Sequence, residues 1–216
     1  LMLTRSGISS RPRWTMRSPA WRAVWHGMGY MALGQAIITF ANPIDQVMAA
    51  NLGEGAISTL GYANRVLALL LGLGATAIGR AVLPVLSEAA AQPKNAWHIA
   101  QRWSKLLFLV GFCGVILAWW LAPLGIRLLF ERGAFSAADS TRVVKVFRYG
   151  LFQVPFYLSG IVYVQMTASL RRYDVIFMSG IIGLISKVFV NWTAIAFIGL
   201  PGIMLGTTAM YLANFV

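Results

Sequence analysis

Acidic residues are scarce in this chain: six Asp and Glu stand against 18 Lys and Arg, and charged residues make up only 11% of its 216 residues. A soluble domain carries about 25% charged residues, so this composition excludes an ordinary soluble fold. Hydrophobic residues account for 58% of the chain, and the mean hydropathy is +0.70. The chain is therefore predicted to be an integral membrane protein.

Residues that form disulfides or metal sites are equally few. The single cysteine, Cys113, cannot form a disulfide within the chain, and its place in an apolar run predicts a small buried side chain. The two histidines, His26 and His98, are far apart, and no group of Cys, His and acidic residues has the spacing of a metal site. We therefore expect no metal and no cofactor.

The acidic residues are too scattered for catalysis. A membrane enzyme that acts on a prenyl phosphate needs a paired acid and base or a group of metal-binding acids. Here each segment holds a single acid: Asp45, Glu54, Glu88, Glu131, Asp139 and Asp174. The sequence therefore disfavours such an enzyme and favours a transporter, with a scaffold that transports nothing as a third class.

The net charge of +12 would suit a nucleic-acid-binding protein, but the basic residues are in the wrong places for one. They lie in short stretches between apolar runs, as the positive-inside rule expects. More of them fall in 1–22, 87–105 and 171–174 than in 127–148. This asymmetry predicts a cytoplasmic N-terminus, and the discordant stretch 127–148 is expected to form an amphipathic helix on the outer surface.

Apolar runs of helix length predict an all-α polytopic membrane bundle of about six spans. Residues 1–22 are polar and basic and form a cytoplasmic lead-in, with a surface helix over 14–25 as the alternative. The helical lobe covers 23–216, and because the chain lacks an initiator Met and ends in an apolar run, we expect a piece of a larger transporter. The predicted spans are 23–50, 59–86, 106–121, 147–170, 175–198 and 203–216, the last one truncated.

Prolines set several of the expected boundaries. Pro43 lies inside the first span and predicts a kink or tilt. Pro84 is expected to end the second span and Pro123 to close the third. Pro155 is expected to interrupt the fourth.

Turn and cap residues mark the starts of two helices. The polar turn 51–55 separates the first two spans, and Ser58 and Thr59 are N-cap candidates for the second. After the third span, Ser136 or Asp139 is expected to cap the next helix.

Two charged residues, Asp45 and Arg65, flank the first outer turn within apolar sequence. Ionisable groups in membrane spans face a partner or a cavity, so they are candidate functional residues. One interpretation is a structural Asp–Arg pair. The other is a cavity wall that binds an anionic substrate, because the planar guanidinium of Arg65 binds phosphate oxygens in a bidentate way.

Lys187 lies at the centre of the fifth span, too far from either end to reach the headgroups fully. A lysine at that depth costs about 2.5–3.5 kcal/mol on insertion scales. Asn191 follows one helical turn later on the same face. Either the two residues serve a functional site, or they form an interhelical polar contact that only fixes packing.

Four stretches resemble the MurJ/MviN family of lipid II flippases, which belongs to the multidrug/oligosaccharidyl-lipid/polysaccharide exporter (MOP) superfamily. IDQVMAANLGEGAISTLGYANRV is similar to the family's seventh helix, outer turn and start of the eighth. ATAIGRAVLPVLSEAAAQ is similar to the end of the eighth helix, and LLFERGAFSAADS to the segment after the ninth. NWTAIAFIGLPGIMLGTTA is similar to the eleventh and twelfth helices.

The resemblance implies a fold and a function. The chain would be the C-terminal lobe, helices seven to twelve of fourteen, in a two-lobe transporter similar to the MATE family. The family moves the undecaprenyl-pyrophosphate-linked peptidoglycan precursor, lipid II, across the bacterial cytoplasmic membrane by alternating access. Arg65, in Tyr62-Ala63-Asn64-Arg65, matches an arginine of the family's central cavity. The missing N-terminal lobe would complete the substrate site.

The resemblance also bears on ion coupling. Some members hold a monovalent cation between helices seven, eleven and twelve, and the matching positions here are Asp45, Lys187, Asn191 and Thr207. Lys187 stands where a neutral or acidic ligand is expected, which argues against coupling. We expect the Lys187 ammonium to take the place of the cation and to pair with Asp45, with Asn191 and Thr207 completing its hydrogen bonds.

These patterns together predict a flippase rather than an enzyme, with membrane lipids and a lipid-linked saccharide pyrophosphate as partners and no nucleic acid. The most specific expectation is lipid II transport for cell-wall biogenesis. An O-antigen or exopolysaccharide-unit flippase of the same superfamily is the alternative.

Overall fold

The structure, a computed structural model, describes residues 19–90, 93–132, 135–170 and 172–215, and across these it forms seven helices and no strand. The lead-in predicted for 1–22 lies outside the described residues as far as residue 18. The predicted all-α class is confirmed. The helices are α1 (Pro19–Ala50), α2 (Ala56–Ala90), α3 (Pro93–Phe130), α4 (Ala137–Leu151), α5 (Gln153–Ser169), α6 (Tyr173–Ile198) and α7 (Pro201–Phe215).

Several helices have the dimensions of membrane spans. Within the described residues, Ala56–Val82, Trp97–Phe130 and Tyr173–Ile198 are each long and apolar enough to cross a bilayer. Large apolar side chains cover their outer faces, among them Leu73, Trp120 and Trp192, all more than 70% exposed. In water this surface would be a liability, whereas in a bilayer it is in contact with lipid.

Two prolines do not end their helices, contrary to expectation. Helix α2 continues past Pro84 to Ala90, and α3 continues past Pro123 to Phe130, well beyond the predicted span 106–121. Pro123 has no N–H for the carbonyl four residues earlier, which is that of Trp119. The Arg148 side chain supplies the missing donor, since its Nε lies 3.2 Å from the Trp119 carbonyl oxygen. The Arg148 guanidinium carbon also lies 5.1 Å from the centre of the Trp119 ring.

The predicted span 147–170 is two helices. Helix α4 ends at Leu151 and α5 begins at Gln153, so the break falls before Pro155 rather than at it. The carbonyl that Pro155 cannot reach is that of Leu151, four residues earlier, where α4 ends. The Gln153 amide nitrogen donates to the Gly150 carbonyl at 2.8 Å and so satisfies one backbone acceptor of this buried helix end.

The turn between α1 and α2 lies where the sequence places it. Gly53 and Gly55 have φ of 105° and 77°, a region that glycine adopts without strain. Ser58 and Thr59 do not cap α2, because the helix already begins at Ala56. Backbone carbonyls of the turn accept from the first N–H groups of the helix instead. The Ala56 N–H donates to the Gly53 carbonyl at 3.3 Å, and the Thr59 N–H donates to the Gly55 carbonyl at 2.9 Å.

Helix α4 is amphipathic, but it covers only the second part of the stretch 127–148 that was expected to form one such helix, because residues 127–130 are the end of α3. Ser136 is its N-cap and Asp139 occupies the third helical position, so both candidates take part in one capping box. Hydrogen bonds from the Ser136 hydroxyl and backbone N–H hold the pKa of Asp139 below its usual value. Val143 and Phe147 are buried against the other helices, whereas Arg142 and Lys145 are exposed.

The core runs between the helices as two clusters. The larger one joins the N-terminal part of α2 with the C-terminal part of α3, all of α4 and the start of α7, around Leu60, Ile126, Leu151 and Met204. Gly150 allows α4 to approach α2, since a Cβ atom there would collide with Leu67. Cys113, expected to be buried, is exposed on α3, because it faces away from both clusters.

Candidate functional site

An ion pair joins α1 to α6 in the interior. The Lys187 ammonium lies 2.7 Å from a carboxylate oxygen of Asp45, and the two side chains are 2% and 6% exposed. The contact requires Asp45 and Lys187 to face each other although 142 residues separate them in sequence. The expected pairing of Lys187 with Asp45 is therefore present, and the alternative pair of Asp45 with Arg65 is not among the ion pairs of the described residues.

Two further side chains complete this cluster. The Lys187 ammonium donates to the Thr207 hydroxyl at 2.6 Å, which connects the pair to α7. The Asn191 amide donates to the second Asp45 oxygen at 2.9 Å and lies 3.6 Å from the Met48 sulfur. One detail differs from expectation: Asn191 binds the carboxylate, not the ammonium, because its amide nitrogen is oriented toward α1.

These contacts do not suit a cation site. Both oxygens of Asp45 already accept hydrogen bonds, one from Lys187 and one from Asn191. The ammonium is positively charged and would repel a metal ion at the same position. Within the described ranges no group of three or more His, Cys, Asp or Glu residues could hold a metal.

Gly206 makes this arrangement possible, and the sequence reasoning did not identify it as a site residue. A Cβ atom at Gly206 would overlap the Asn191 amide and lie 2.8 Å from the Lys187 carbonyl oxygen. Only glycine lets α7 approach α6 this closely. The available signal was the small-residue pair Gly202 and Gly206, four apart in an apolar helix. Gly202 meets a similar limit, with its Cβ position 2.6 Å from the Ala194 carbonyl carbon.

A cavity of about 660 Å³ opens beside the cluster. Asp45 and Thr207 line it, so the ion-pair cluster forms part of its wall. Sequence reasoning identified Asp45, Arg65 and Thr207 as candidate site residues but missed the other polar side chains on the cavity walls, which are Asn42, Gln46, Ser58, Tyr62, Asn64, Gln153 and Tyr211. Their signal was the same in each case: a polar side chain inside or beside an apolar span.

Arg65 lines the same cavity and is exposed to it. Its guanidinium carbon lies 5.4 Å from the centre of the Tyr62 ring. It forms no ion pair with any carboxylate of the described residues. Arg65 and the Asp45 cluster are thus two separate parts of one cavity wall, one with an uncompensated positive charge and one internally neutral.

Tyr62 is held by aromatic contacts on its other side. Its ring is edge-on to Phe130 at 4.9 Å and to Phe135 at 5.0 Å between ring centres. Such pairs contribute about 0.5–1.5 kcal/mol beyond the area that they bury. The ring that contacts Arg65 is therefore fixed against the ends of α3 and the following segment.

Comparisons with known proteins agree on one family. The family model described as lipid II flippase MurJ matches residues 1–216. A probable lipid II flippase MurJ from Helicobacter pylori is 33% identical over 147 residues, which is 65% of this chain and 31% of the relative. A protein of the same description from Vibrio cholerae is 25% identical over 224 residues, or 98% of this chain and 41% of the relative.

Solved structures share the fold. A lipid II flippase MurJ in an inward closed conformation aligns with a TM-score of 0.74 at 21% identity, covering 99% of this chain and 45% of that one. An outward-facing MATE family transporter of the MOP superfamily aligns with a TM-score of 0.70 at 16% identity, covering 89% and 43%. The chain thus spans less than half the length of these curated relatives and solved structures.

Proposed function

The chain belongs to the MurJ family of lipid II flippases, and from that premise we propose that it forms one lobe of a flippase for lipid II. The lobe is a multi-pass membrane bundle. In the proposal it lies in the bacterial cytoplasmic membrane with the N-terminal side of the chain in the cytoplasm. Its partner is a second lobe of the same protein, and the two alternate between access to the inner and the outer leaflet.

The observation that carries this proposal is the state of Arg65. Its guanidinium is exposed in a cavity of about 660 Å³ and has no carboxylate partner in the described part of the chain. A cation without a counter-ion inside a membrane protein is costly, so its natural complement is an anionic ligand. A diphosphate fits, because its oxygens match the planar donor fork of arginine.

The cavity also provides the polar contacts that an amphiphilic headgroup needs. Amide side chains of Gln46, Asn64 and Gln153 and the phenol of Tyr211 line it. Each can donate or accept a hydrogen bond. In the proposal Arg65 binds the diphosphate, these neutral groups contact the saccharide part, and the prenyl chain stays in lipid.

The proposed transport cycle does not use a cation at the Asp45 position. The Lys187 ammonium already supplies a positive charge there and is bonded to Asp45 and Thr207. In this proposal the cluster holds α1, α6 and α7 together as a unit that moves during alternating access. No chemical reaction on the substrate is part of the proposal.

Transport by the full-length protein in proteoliposomes tests the role of Arg65. Arg65→Ala should abolish movement of fluorescent lipid II while the protein still inserts and folds. Arg65→Lys should reduce transport, because a point charge replaces the bidentate fork. Arg127→Ala is the matched control: Arg127 is also exposed but pairs with Glu131 at 3.8 Å and does not line the cavity. Normal lipid II transport by Arg65→Ala would exclude this function for Arg65.

A further inference from the structure

A second cavity, of about 460 Å³, adjoins the Arg65 cavity. Ser58 and Tyr62 line both of them. The second cavity extends to Gly55, in the turn before α2, and to the facing residues of α4. Arg65 lies two helical turns beyond Ser58, or about 10 Å along α2. The second cavity is therefore nearer than Arg65 to the turn between α1 and α2.

Two arginines line this second cavity, Arg132 and Arg142. Both are exposed, and neither forms an ion pair with a carboxylate of the described residues. We call this cavity the Arg132–Arg142 pocket. Arg132 donates to the Leu128 carbonyl at 3.4 Å, and the charge of Arg142 interacts with that of Asp139. The pocket resembles the Arg65 site in that its arginines form no ion pair with a carboxylate of the described residues.

The nearby acids do not cancel this positive charge. Asp139 also lines the pocket, but one of its carboxylate oxygens accepts hydrogen bonds from the Ser136 hydroxyl at 2.7 Å and backbone N–H at 3.1 Å. Glu131 accepts from the Ser140 hydroxyl at 3.2 Å and pairs with Arg127 at 3.8 Å. Two guanidiniums against one capping carboxylate leave the pocket with a net positive charge.

Tyr62 is the shared wall of the two cavities. On one side the Arg65 guanidinium lies 5.4 Å from its ring centre. On the other side its ring contacts Phe130 and Phe135, which line the Arg132–Arg142 pocket. Tyr62 thus lies between Arg65 and the Arg132–Arg142 pocket.

We propose that the Arg132–Arg142 pocket is a second diphosphate-binding site, which receives the lipid diphosphate after Arg65 and lies on its route out of the central cavity. This inference rests on the proposed function, because it assumes the same ligand. Its physical basis is that a diphosphate moved from Arg65 into apolar surroundings would lose its counter-charge at high cost. A succession of cations, from Arg65 on α2 to Arg132 after α3 and Arg142 on α4, avoids that loss.

The same chemistry could serve the phosphate of an ordinary anionic lipid such as phosphatidylglycerol. A single phosphate offers fewer oxygens and less charge to two arginines than a diphosphate does, so the pocket is assigned to the diphosphate. The two sources are separated by direct competition.

Binding of geranylgeranyl diphosphate to the full-length protein in phosphatidylcholine nanodiscs tests the inference. An Arg65→Ala background removes the part of the central site that this chain supplies, so the second site accounts for a larger share of the residual binding. Adding Arg132→Gln and Arg142→Gln should weaken that residual binding by about tenfold or more, equivalent to about 1.4 kcal/mol. Lys145→Gln is the matched control, since Lys145 is an exposed cation on the same helix that does not line the pocket. It should change residual binding less than twofold.

Two results would overturn the inference. One is residual binding that the double substitution leaves unchanged. The other is displacement of the diphosphate by an equal amount of phosphatidylglycerol, which would assign the pocket to bulk lipid. Neither result affects the role of Arg65, which is measured separately by lipid II transport. If the wild-type protein does not transport lipid II, the proposed function is rejected. The binding test would still show whether the Arg132–Arg142 pocket binds a diphosphate.

Discussion

The Lys187 ammonium and the Asp45 carboxylate lie 2.7 Å apart across the contact between α6 and α1. Thr207 connects the same ammonium to α7 at 2.6 Å. A single buried cluster thus joins three helices that are distant in sequence. Buried ion pairs add little net stability, but breaking one is costly, so the cluster specifies which faces of these helices meet.

Gly206→Ala should destabilise the protein through this cluster. The new methyl group would overlap the Asn191 amide and force α7 away from α6, and overpacking of this kind costs about 1–3 kcal/mol. Thermal unfolding of the full-length protein in detergent measures the effect.

Gly114→Ala is the control for the Gly206 substitution. Gly114 lies within α3, and nothing approaches within 4 Å of the position that its Cβ would take. Alanine there should be neutral or stabilise the helix by about 0.5–1 kcal/mol. Equal melting temperatures for the two variants would show that Gly206 is not needed for close packing.

Arg148 should matter for stability only as long as Pro123 is present. Arg148→Met leaves the half-buried Trp119 carbonyl without its donor at 3.2 Å, so we expect a cost toward the lower end of the about 1–3 kcal/mol of a fully buried unpaired acceptor. In a Pro123→Ala background the new N–H of residue 123 can bond to that carbonyl within the helix. The same Arg148→Met change should then cost clearly less. An equal loss of melting temperature in both backgrounds would show that Arg148 does not compensate for the proline.

Much of this architecture follows from sequence patterns. The turn 51–55, the capping box of Ser136 and Asp139, and the contact between Asp45 and Lys187 could all be predicted. The last combined two signals: a buried charge needs an opposite charge, and the family resemblance placed Asp45 and Lys187 in one site. Charge alone also allowed Arg65 as the partner of Asp45.

Other features depend on neighbours that the sequence does not reveal. Pro123 looked like a helix end, yet a donor from α4 keeps α3 continuous. The break falls at Phe152, three residues before Pro155, and Cys113 is exposed because α3 turns it outward. The polar side chains around Arg65 come from α1, α2, α5 and α7, and no local pattern marks them as one cavity.

The membrane orientation can be tested by labelling a cysteine at position 95. Asn95 is in α3, on the side that the distribution of basic residues assigns to the cytoplasm. Asn95→Cys should react with a membrane-impermeant maleimide only after the cells are opened. The experiment uses Cys113→Ala as background, which removes the single native cysteine of this chain. Labelling of intact cells at position 95 would reverse the proposed topology.

The final prediction concerns the coupling between Asp45 and Lys187. Two unit charges about 4 Å apart attract by about 4 kcal/mol at an effective dielectric near 20, before the cost of desolvation. Removing one partner of a buried pair costs about 3–5 kcal/mol, because the other charge is left without compensation. Lys187→Met and Asp45→Asn should therefore each lower the melting temperature of the full-length protein in detergent.

The double substitution should lower the stability by less than the two single losses added together, because it leaves no charge without a partner. Sodium provides a second test. Lys187→Met alone removes the ammonium that bonds to Asp45 and Thr207. A sodium ion can then bind to the Asp45 carboxylate in its place and should recover part of the lost stability. Sodium should have no such effect on the wild-type protein, where Lys187 bonds to both, or on the double variant, which lacks the carboxylate. Strict additivity of the two single losses would show that the charges are not coupled and that Lys187 does not replace a cation.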